Sequence, residues 1–185
     1  MEAVIPSSAM SAENESALPA FAQALETHKA MVYSILWHFL RDRSLADEVA
    51  QDVFLELHRA WNSVKSPAHL VSWLRRVTTH RAIDQVRKRR SRPETTLTES
   101  DEPTVFEQVH DSFLSCYLER MVASLPAQQR MMIILRYQEE MELDEIATLL
   151  DMKVSTVKTQ IVRALDFLRA KTAHRLKPNG DEEQR

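Results

Sequence analysis

Apolar residues recur at helical spacing along most of the chain, and polar breaks divide them into successive segments. After a polar stretch at 1–17, a first amphipathic pattern begins at Leu18 and ends at the sequence RDRS. A second begins near Ser44, the predicted N-cap residue, and continues to Trp61. Pro67 is expected to end any preceding helix, and a third pattern extends from Leu70 through Arg90. This periodicity predicts three helices in the first half of the chain.

The helical pattern is interrupted by SRPETTLTESDEPT, a polar stretch with two prolines that is typical of a linker. Beyond it, the spacing predicts helices near 112–123, 127–138, 143–150 and 154–174, with Pro126 close to a helix start. We therefore expect an all-α fold of two small helical domains joined by a flexible acidic linker. The predicted limits are a disordered tail at 1–17, a first domain at 18–92, the linker at 93–111, a second domain at 112–176 with a helix-turn-helix, and a tail at 177–185.

The composition excludes several classes of functional site. Gly180 is the only glycine, whereas tight hairpins and phosphate-binding loops need glycine for positive φ or close backbone approach. The single cysteine, Cys116, excludes an internal disulfide, and the histidines show no metal-ligand spacing. We predict no catalytic site, metal or cofactor. The sequence contains no apolar run of transmembrane length and no secretory leader, so we expect a cytoplasmic protein without membrane insertion.

Charge is strongly segregated along the chain, although the net charge is only −3. Eight Lys and Arg residues lie between Arg75 and Arg92, and seven between Lys153 and Lys177. Between these stretches, Glu94 to Glu119 contains seven acidic residues and no Lys or Arg. Two basic stretches that flank an acidic connector indicate an anionic partner contacted at two places.

The sequence LDEIATLLDMKVSTVKTQIVRALDFLR has the pattern of a helix-turn-helix, in which two short amphipathic helices meet at a tight turn. Because the turn contains no glycine, Asp151 is the candidate for its special backbone conformation. The outer face of the second helix carries side chains that can bind bases or phosphates: Ser155, Thr156, Lys158, Thr159, Gln160 and Arg163. This face either enters a DNA major groove or is the solvated side of an ordinary amphipathic helix.

The first basic stretch, SWLRRVTTHRAIDQVRKRRSR, mixes cations with side chains that can stack on bases or hydrogen-bond to them. Trp73, Thr78, Thr79 and His80 are the candidates for those contacts, as in proteins that bind single-stranded nucleic acid. An isolated basic run is more often a solvated helix end, favoured by the helix dipole. Its occurrence together with a helix-turn-helix favours nucleic-acid binding.

Several motifs occur in family order, namely SLADEVAQDVFLELHRAW, SWLRRVTTHRAIDQVRKRR, LPAQQRMMIILRYQEEMELDEIATLL and the TVK of VSTVKTQIVRAL. Together they resemble bacterial RNA polymerase sigma factors of the extracytoplasmic-function (ECF) group, over most of residues 18–176. The resemblance implies a non-enzymatic alternative sigma factor that directs promoter-specific initiation by −35 and −10 recognition and DNA melting. The implied partners are core RNA polymerase, through the clamp helices of its largest subunit and its flap, promoter DNA, and an anti-sigma factor.

The resemblance also assigns roles to residues. Core polymerase binding would involve Asp47, Glu48, Gln51, Asp52, Phe54, Glu56 and Leu57. Contacts with the −10 element would involve Ser66, His69, Trp73, Arg75, Arg76, Thr79, His80, Arg81, Asp84, Arg87 and Lys88. The −35 element would be bound by Ser155, Thr156, Lys158, Thr159, Gln160 and Arg163.

The chain departs from the family pattern at several of these positions. The family commonly has glycine where this chain has Asp151 and Ser155, and asparagine where it has His80. Thr159 and Gln160 replace the usual Ser-Arg, so promoter preference does not carry over. The acidic linker, with Glu99, Asp101 and Glu102, is either a nucleic-acid mimic in a polymerase channel or a solvated spacer.

Two other functions are compatible with the same features. A stand-alone helix-turn-helix regulator would bind duplex DNA without polymerase. A helical adaptor would use the basic faces to bind an acidic protein partner.

Overall fold

The computed structural model describes residues 20–91 and 112–175, and all of its regular structure in those ranges is helical. The all-α prediction is therefore confirmed. The predicted terminal tails and the acidic linker, including Glu99, Asp101 and Glu102, lie outside the described residues. None of the described helices is both long and apolar enough to cross a lipid bilayer.

The helices follow the predicted segments closely. They are α1 Phe21–Leu40, α2 Arg43–Ala60, a 3-10 turn at Trp61–Ser63, α3 Pro67–Ser91, α4 Ser112–Ala123, α5 Ala127–Tyr137, α6 Leu143–Leu149 and α7 Val154–Arg175. Residue contacts divide the chain into two compact units, with the division after Ala82, within α3. The predicted domain limits at 92 and 112 adjoin residues outside the described part.

In the first unit, α1 and α2 form an antiparallel pair. The ring of Phe21 meets His58 and Trp61 edge-on, with centroids 5.1 and 5.3 Å apart, so the start of α1 lies beside the end of α2. Phe39 at the end of α1 and Leu45 at the start of α2 are buried in the core of the same unit. One apolar face on each helix is enough to bury this core.

The turn between α1 and α2 differs from the prediction in its cap. Asp42, not Ser44, is the N-cap residue of α2, because its side chain accepts a hydrogen bond from the Leu45 N–H at 3.0 Å. Ser44 is already inside the helix. Arg41 turns the chain in the left-handed conformation, with φ 57°, and its N–H donates to the Trp37 carbonyl at 3.0 Å.

The start of α3 also corrects the sequence interpretation. The preceding helix already ends at Ala60, and the 3-10 turn after it ends at Ser63, so Pro67 does not end it. Pro67 is instead the first residue of α3, ahead of the predicted start at Leu70. Proline is tolerated at this position because the first helical N–H groups have no partner within the helix. Leu70 and Leu74 on this helix are fully buried.

In the second unit, α5, α6 and α7 enclose a core that includes Met131, Leu135, Ile146 and Val157, all fully buried. Arg136 joins the end of α5 to the start of α6, because its Nη1 donates to the Met141 carbonyl at 2.8 Å and forms an ion pair with Glu142 at 3.0 Å. This connection fixes the first helix of the helix-turn-helix against α5.

Asp151 makes the helix-turn-helix turn, as the sequence predicted. Its φ is 54°, in the left-handed region that glycine usually occupies at helix ends. The Met152 N–H donates to the Ala147 carbonyl at 2.8 Å, and the Asp151 N–H donates to the Thr148 carbonyl at 3.4 Å. These two bonds form a Schellman motif, which satisfies the last carbonyls of α6 and directs the chain into α7.

Candidate polymerase and nucleic-acid interfaces

The outer side of α2 carries an acidic face, defined here as Asp47, Glu48, Gln51 and Asp52. All four side chains are exposed, as required of residues predicted to contact core polymerase. Phe54 is half-buried. Leu57 is 0% exposed and belongs to the core, so its predicted contact with polymerase is wrong. Its spacing from Val49 and Val53 had already placed it on the buried side of α2.

Two further side chains at this face were missed by the sequence analysis. Leu55 is an apolar residue that lies outside the buried side of α2, and it is 49% exposed. Tyr33 on α1 donates a hydrogen bond from its hydroxyl to Asp47 Oδ1 at 2.6 Å. This bond, together with burial and the charge of Asp47, raises the pKa of Tyr33 above its usual 10.0, against the opposing effect of Arg43. The spacing of apolar residues in α1 could not indicate which of its exposed side chains contacts α2.

Ser66 and His69 form the cap of α3. The His69 N–H donates to Ser66 Oγ, and His69 Nδ1 accepts from the Lys65 N–H, each at 3.1 Å. The first bond is an N-cap hydrogen bond, whereas the second differs from a capping box because His69 accepts from the residue before the N-cap and not from the N-cap N–H. Two residues predicted to lie at the −10 element are therefore held in one rigid turn.

The middle of α3 corrects the predicted −10 face. Thr78 and Thr79 are both 0% exposed, and their hydroxyl oxygens find no hydrogen-bond partner among the described residues. Thr79 is therefore not available to a DNA strand in this structure, and Thr78 is not available for stacking or hydrogen bonding. Their methyl groups continue the buried side of α3 between Leu74 and Ala82. A sequence pattern cannot tell whether a threonine is buried or exposed, because its side chain carries both a polar hydroxyl and an apolar methyl group.

The remaining −10 candidates differ in exposure. The exposed ones are His69, Arg76, His80, Arg81, Asp84, Arg87 and Lys88, and the half-buried ones are Ser66, Trp73 and Arg75. Asp84 forms a long ion pair with Arg87 at 3.7 Å, so the single carboxylate of the basic stretch partly neutralises one of its cations. The exposed cations form a positive surface along α3, which we call the basic face.

One ion pair joins the predicted polymerase-binding and −10 residues. Arg81 on α3 donates from Nε and Nη2 to Glu56 Oε2 on α2, at 3.1 and 2.6 Å. The side chains are 48% and 35% exposed, respectively. An exposed pair of this kind adds at most about 1 kcal/mol, so its main effect is to orient α3 on α2. Sequence reasoning assigned the two residues to separate partners, since they lie 25 positions apart.

The outer face of α7 carries the predicted −35 residues. Ser155, Lys158, Thr159 and Arg163 are exposed, while Thr156 and Gln160 are half-buried at its edge. Val157, Ile161 and Ala164 are buried on the opposite side. The structure thus brings all six predicted residues to one surface of α7, which we call the recognition face.

Hydrogen bonds within the second unit restrict what this face can offer a base. Thr159 donates its hydroxyl hydrogen to the Ser155 carbonyl at 2.8 Å, so its oxygen faces outward as an acceptor. Gln129 Nε2 on α5 donates to Gln160 Oε1 at 2.8 Å. Val162 was missed by the sequence analysis, and its side chain is 47% exposed on the recognition face. Its position out of phase with Val157 and Ile161 was the available signal.

An open apolar cleft of about 420 Å³ lies between α4 and α7. Its lining includes Leu118, Met121 and Val122 from α4 and Leu165, Leu168 and Thr172 from α7. Leu118 is half-exposed at its edge. Among the described residues, no group of three or more His, Cys, Asp or Glu side chains is arranged to hold a metal ion.

Two protein families match this chain, in order. Residues 24–92 match the family described as Sigma-70 region 2, and residues 117–168 match Sigma-70, region 4. The ECF RNA polymerase sigma factor SigW of Bacillus subtilis is 27% identical over 163 residues, which covers 81% of this chain and 87% of SigW. The ECF RNA polymerase sigma-E factor of Escherichia coli is 26% identical over 162 residues, covering 80% and 84% of the two chains.

Solved structures share the fold. The sigma factor RpoE in complex with the anti-sigma factor NepR, from Bartonella quintana, has a TM-score of 0.61 at 18% identity, covering 83% of this chain and 96% of that one. CnrH in complex with the cytosolic domain of CnrY has a TM-score of 0.59 at 19% identity, covering 83% and 88%.

Proposed function

Because the chain belongs to the sigma-70 family of RNA polymerase sigma factors, in its ECF group, we propose which surfaces carry out promoter-specific initiation. The protein is an alternative sigma factor, a transcription initiation factor that directs core polymerase to promoters. RNA synthesis itself belongs to the polymerase. We propose that it acts in the cytoplasm, where both core polymerase and promoter DNA are found.

The acidic face of α2 is the proposed contact with the clamp helices of the largest polymerase subunit. Its exposed carboxylates at 47, 48 and 52 suit a cationic partner surface. Leu55, exposed beside them, supplies apolar area that such a contact would bury. Tyr33 extends the same surface through its bond to Asp47.

The cap and the basic face of α3 are the proposed −10 surface. Melting exposes a displaced strand, and a cationic path with aromatic platforms binds single strands with little dependence on sequence. Arg76, His80, Arg87 and Lys88 provide the exposed part of this path, and Trp73 a partly exposed ring. The rigid turn of Ser66 and His69 is the proposed border of a pocket for an unstacked base.

The recognition face of α7 is the proposed reader of the −35 element in the major groove. Lys158 and Arg163 neutralise phosphate or donate to guanine, Thr159 offers an acceptor, and Val162 offers methyl groups to thymine. The apolar cleft between α4 and α7 is the proposed binding site for the polymerase flap.

An anti-sigma factor is the proposed regulatory partner. The similar RpoE of Bartonella quintana was solved in complex with the anti-sigma factor NepR. In this chain, such a partner would cover the acidic face and the apolar cleft, and so compete with core polymerase. Pull-down from the host with the acidic face reversed to lysine at 47, 48 and 52 should lose both polymerase and the anti-sigma factor.

The single observation that carries this function is the presence of both sigma-70 domain matches, in order, on one chain. The test is run-off transcription with purified core polymerase on fragments of the host genome, with mapping of transcript starts. We expect promoter-specific transcripts only when the chain is added, and few when Lys158 and Arg163 are both alanine. Duplex binding without any effect on core would instead indicate a stand-alone regulator, and neither activity would indicate a protein-binding adaptor.

A further inference from the structure

We propose that Gln129 is a positioning residue for promoter specificity. By holding the amide of Gln160 in one orientation, it makes that side chain favour adenine at one base pair of the −35 element. This inference rests on the proposed function, in which the recognition face enters the major groove. It concerns a residue on α5, outside the recognition helix.

The two side chains meet across the second unit. Gln129 is in the first turn of α5, and Gln160 is in the second turn of α7, 31 residues later. The Gln129 Nε2 group donates to Gln160 Oε1 at 2.8 Å, and both side chains are half-buried. The bond therefore lies at the edge of the recognition face, partly sheltered from water.

Packing around this bond keeps the donor in place. Val157 and Ile161, which flank Gln160 on the inner side of α7, are 0% and 6% exposed. The neighbouring Gln128 reaches the turn before α7, where its Nε2 lies 3.2 Å from the Met152 sulfur. The start of α5 is thus held against both the turn and the helix that follows it.

The chemical consequence follows from the amide group. A glutamine amide has one acceptor oxygen with two lone pairs and one donor NH₂ group. Rotation about its last torsion exchanges the two ends, because that torsion is broad and nearly two-fold. With one lone pair of Oε1 bound to Gln129 Nε2, the oxygen lies on the α5 side, and it can leave that side without loss of the bond only if the Gln129 amide rotates as well. The second lone pair and the NH₂ group of Gln160 then face outward in a fixed order.

That fixed order suits adenine. In the major groove adenine presents an N6 donor beside an N7 acceptor, and glutamine pairs with both. Guanine presents two acceptors, O6 and N7, so a held glutamine would place its oxygen against O6. A free amide could rotate alone to lessen that repulsion, whereas the amide of Gln160 would have to break its bond to Gln129 or rotate together with the Gln129 amide.

The test measures initiation with core polymerase on a promoter library that carries all four base pairs at each −35 position. In Gln160→Ala, the ratio of adenine to guanine should fall on the order of tenfold at one position. In Gln129→Ala, the same ratio should fall several-fold at that position alone. The double variant should resemble Gln160→Ala, because Gln129 acts through Gln160.

Two further variants separate positioning from structural support. Gln129→Glu is nearly isosteric and can still accept a hydrogen bond from the Gln160 NH₂ group, so a merely structural role would survive it. Our proposal predicts that the adenine preference is lost, because the amide would turn its other end toward α5. Gln138→Ala removes an exposed glutamine that caps the other end of the same helix, and it should leave every ratio unchanged.

A base-pair profile of Gln129→Ala or Gln129→Glu identical to that of the unmodified chain would overturn the proposal. So would a preference at the Gln160-dependent position for a base other than adenine. If Gln160→Ala changes the profile and Gln129→Ala does not, only the positioning role fails. If replacing Lys158 and Arg163 by alanine also leaves promoter-specific initiation intact, the proposed −35 role of α7 fails with it.

Discussion

The charged faces of α2 and α3 and the recognition face of α7 are controlled by different kinds of contact. In the first unit, opposite charges from neighbouring helices meet, as in the Glu56–Arg81 pair. On the recognition face, neutral hydrogen bonds set the arrangement, as in Gln129–Gln160 and Thr159–Ser155. Lys158 and Arg163 remain exposed there.

This difference shows that the number of basic residues in a stretch of sequence does not by itself give the positive charge available to a partner. A basic helix that packs on an acidic one loses part of its positive charge to its own neighbour. On the recognition face no acidic residue occurs from Lys153 to Leu165, so the cations keep their charge for a partner. What the second unit adds is control over which donors and acceptors face outward.

The largest effect expected concerns two leucines of α2. Leu57→Ala should destabilise the first unit by about 2–5 kcal/mol, because it leaves a cavity at a fully buried position. Leu55→Ala removes a half-exposed side chain of the same size, and its effect on stability should stay within about 0.5 kcal/mol. Tryptophan fluorescence during urea unfolding reports this unit, since Trp37, Trp61 and Trp73 all lie in it.

The same pair of variants sharpens the assignment of the polymerase contact. Leu55→Ala should weaken binding to core polymerase, measured by fluorescence anisotropy, although its unfolding is unchanged. Equal loss of stability in both variants would contradict the division of α2 into a buried and a contacting side.

The next effect concerns the exposed cations of α7. Each phosphate contact removed should reduce the slope of log K against log salt by about 0.9. We expect this for Lys158→Ala and Arg163→Ala in promoter binding by the holoenzyme. Lys171→Ala is the control, since Lys171 lies over the Phe167 ring near the other end of α7, 5.8 Å from its centroid. An equally large reduction of the slope in Lys171→Ala would show that the slope depends on the overall charge of the protein and not on phosphate contacts at the recognition face.

A smaller effect is expected from the ion pair that joins α2 to α3. A double-mutant cycle with Glu56→Gln and Arg81→Gln should give a coupling energy of about 0.2–1 kcal/mol, because both side chains are partly exposed. Initiation should fall more in Arg81→Gln than in Glu56→Gln if the arginine also contacts DNA. A cycle without coupling would mean that the pair does not orient α3.

The smallest effect concerns Tyr33. Because its hydrogen bond to Asp47, its burial and the charge of Asp47 raise its pKa, the folded state favours the protonated phenol. The sign follows by linkage: the stabilisation is present below about pH 10 and is lost as the pH rises through the raised pKa. The difference in unfolding free energy between the unmodified chain and Tyr33→Phe should therefore be constant at neutral pH and shrink at alkaline pH. A difference in unfolding free energy that does not change with pH would contradict the hydrogen bond between Tyr33 and Asp47.

Much of the fold could be predicted from local signals. The helical period placed all seven described helices, and Pro126 marked the start of α5. Asp151 was identified because a tight turn without glycine leaves few residues that tolerate the left-handed conformation. The cap of α2 was misplaced because Asp42 and Ser44 are both good N-cap residues, and only the backbone decides between them.

The site was less predictable because its chemistry depends on contacts distant in sequence. Thr79 lies in a basic stretch, yet packing within the first unit buries it. Glu56 and Arg81 each suit a partner outside the chain, but they bind one another. Gln129 carries no signal in its own helix, since its relevance comes from Gln160 on α7.

The left-handed residues Arg41, Glu140 and Asp151 have a consequence for engineering this protein. Most residues other than glycine lose on the order of 1–2 kcal/mol in that conformation, whereas aspartate tolerates it better, so the strain is greater at Arg41 and Glu140 than at Asp151. Replacement by glycine would relieve the strain but would also give the unfolded chain more freedom, which opposes the gain. Asp151 lies in the turn before α7, so a substitution there can change the stability of the fold without changing any side chain of the recognition face.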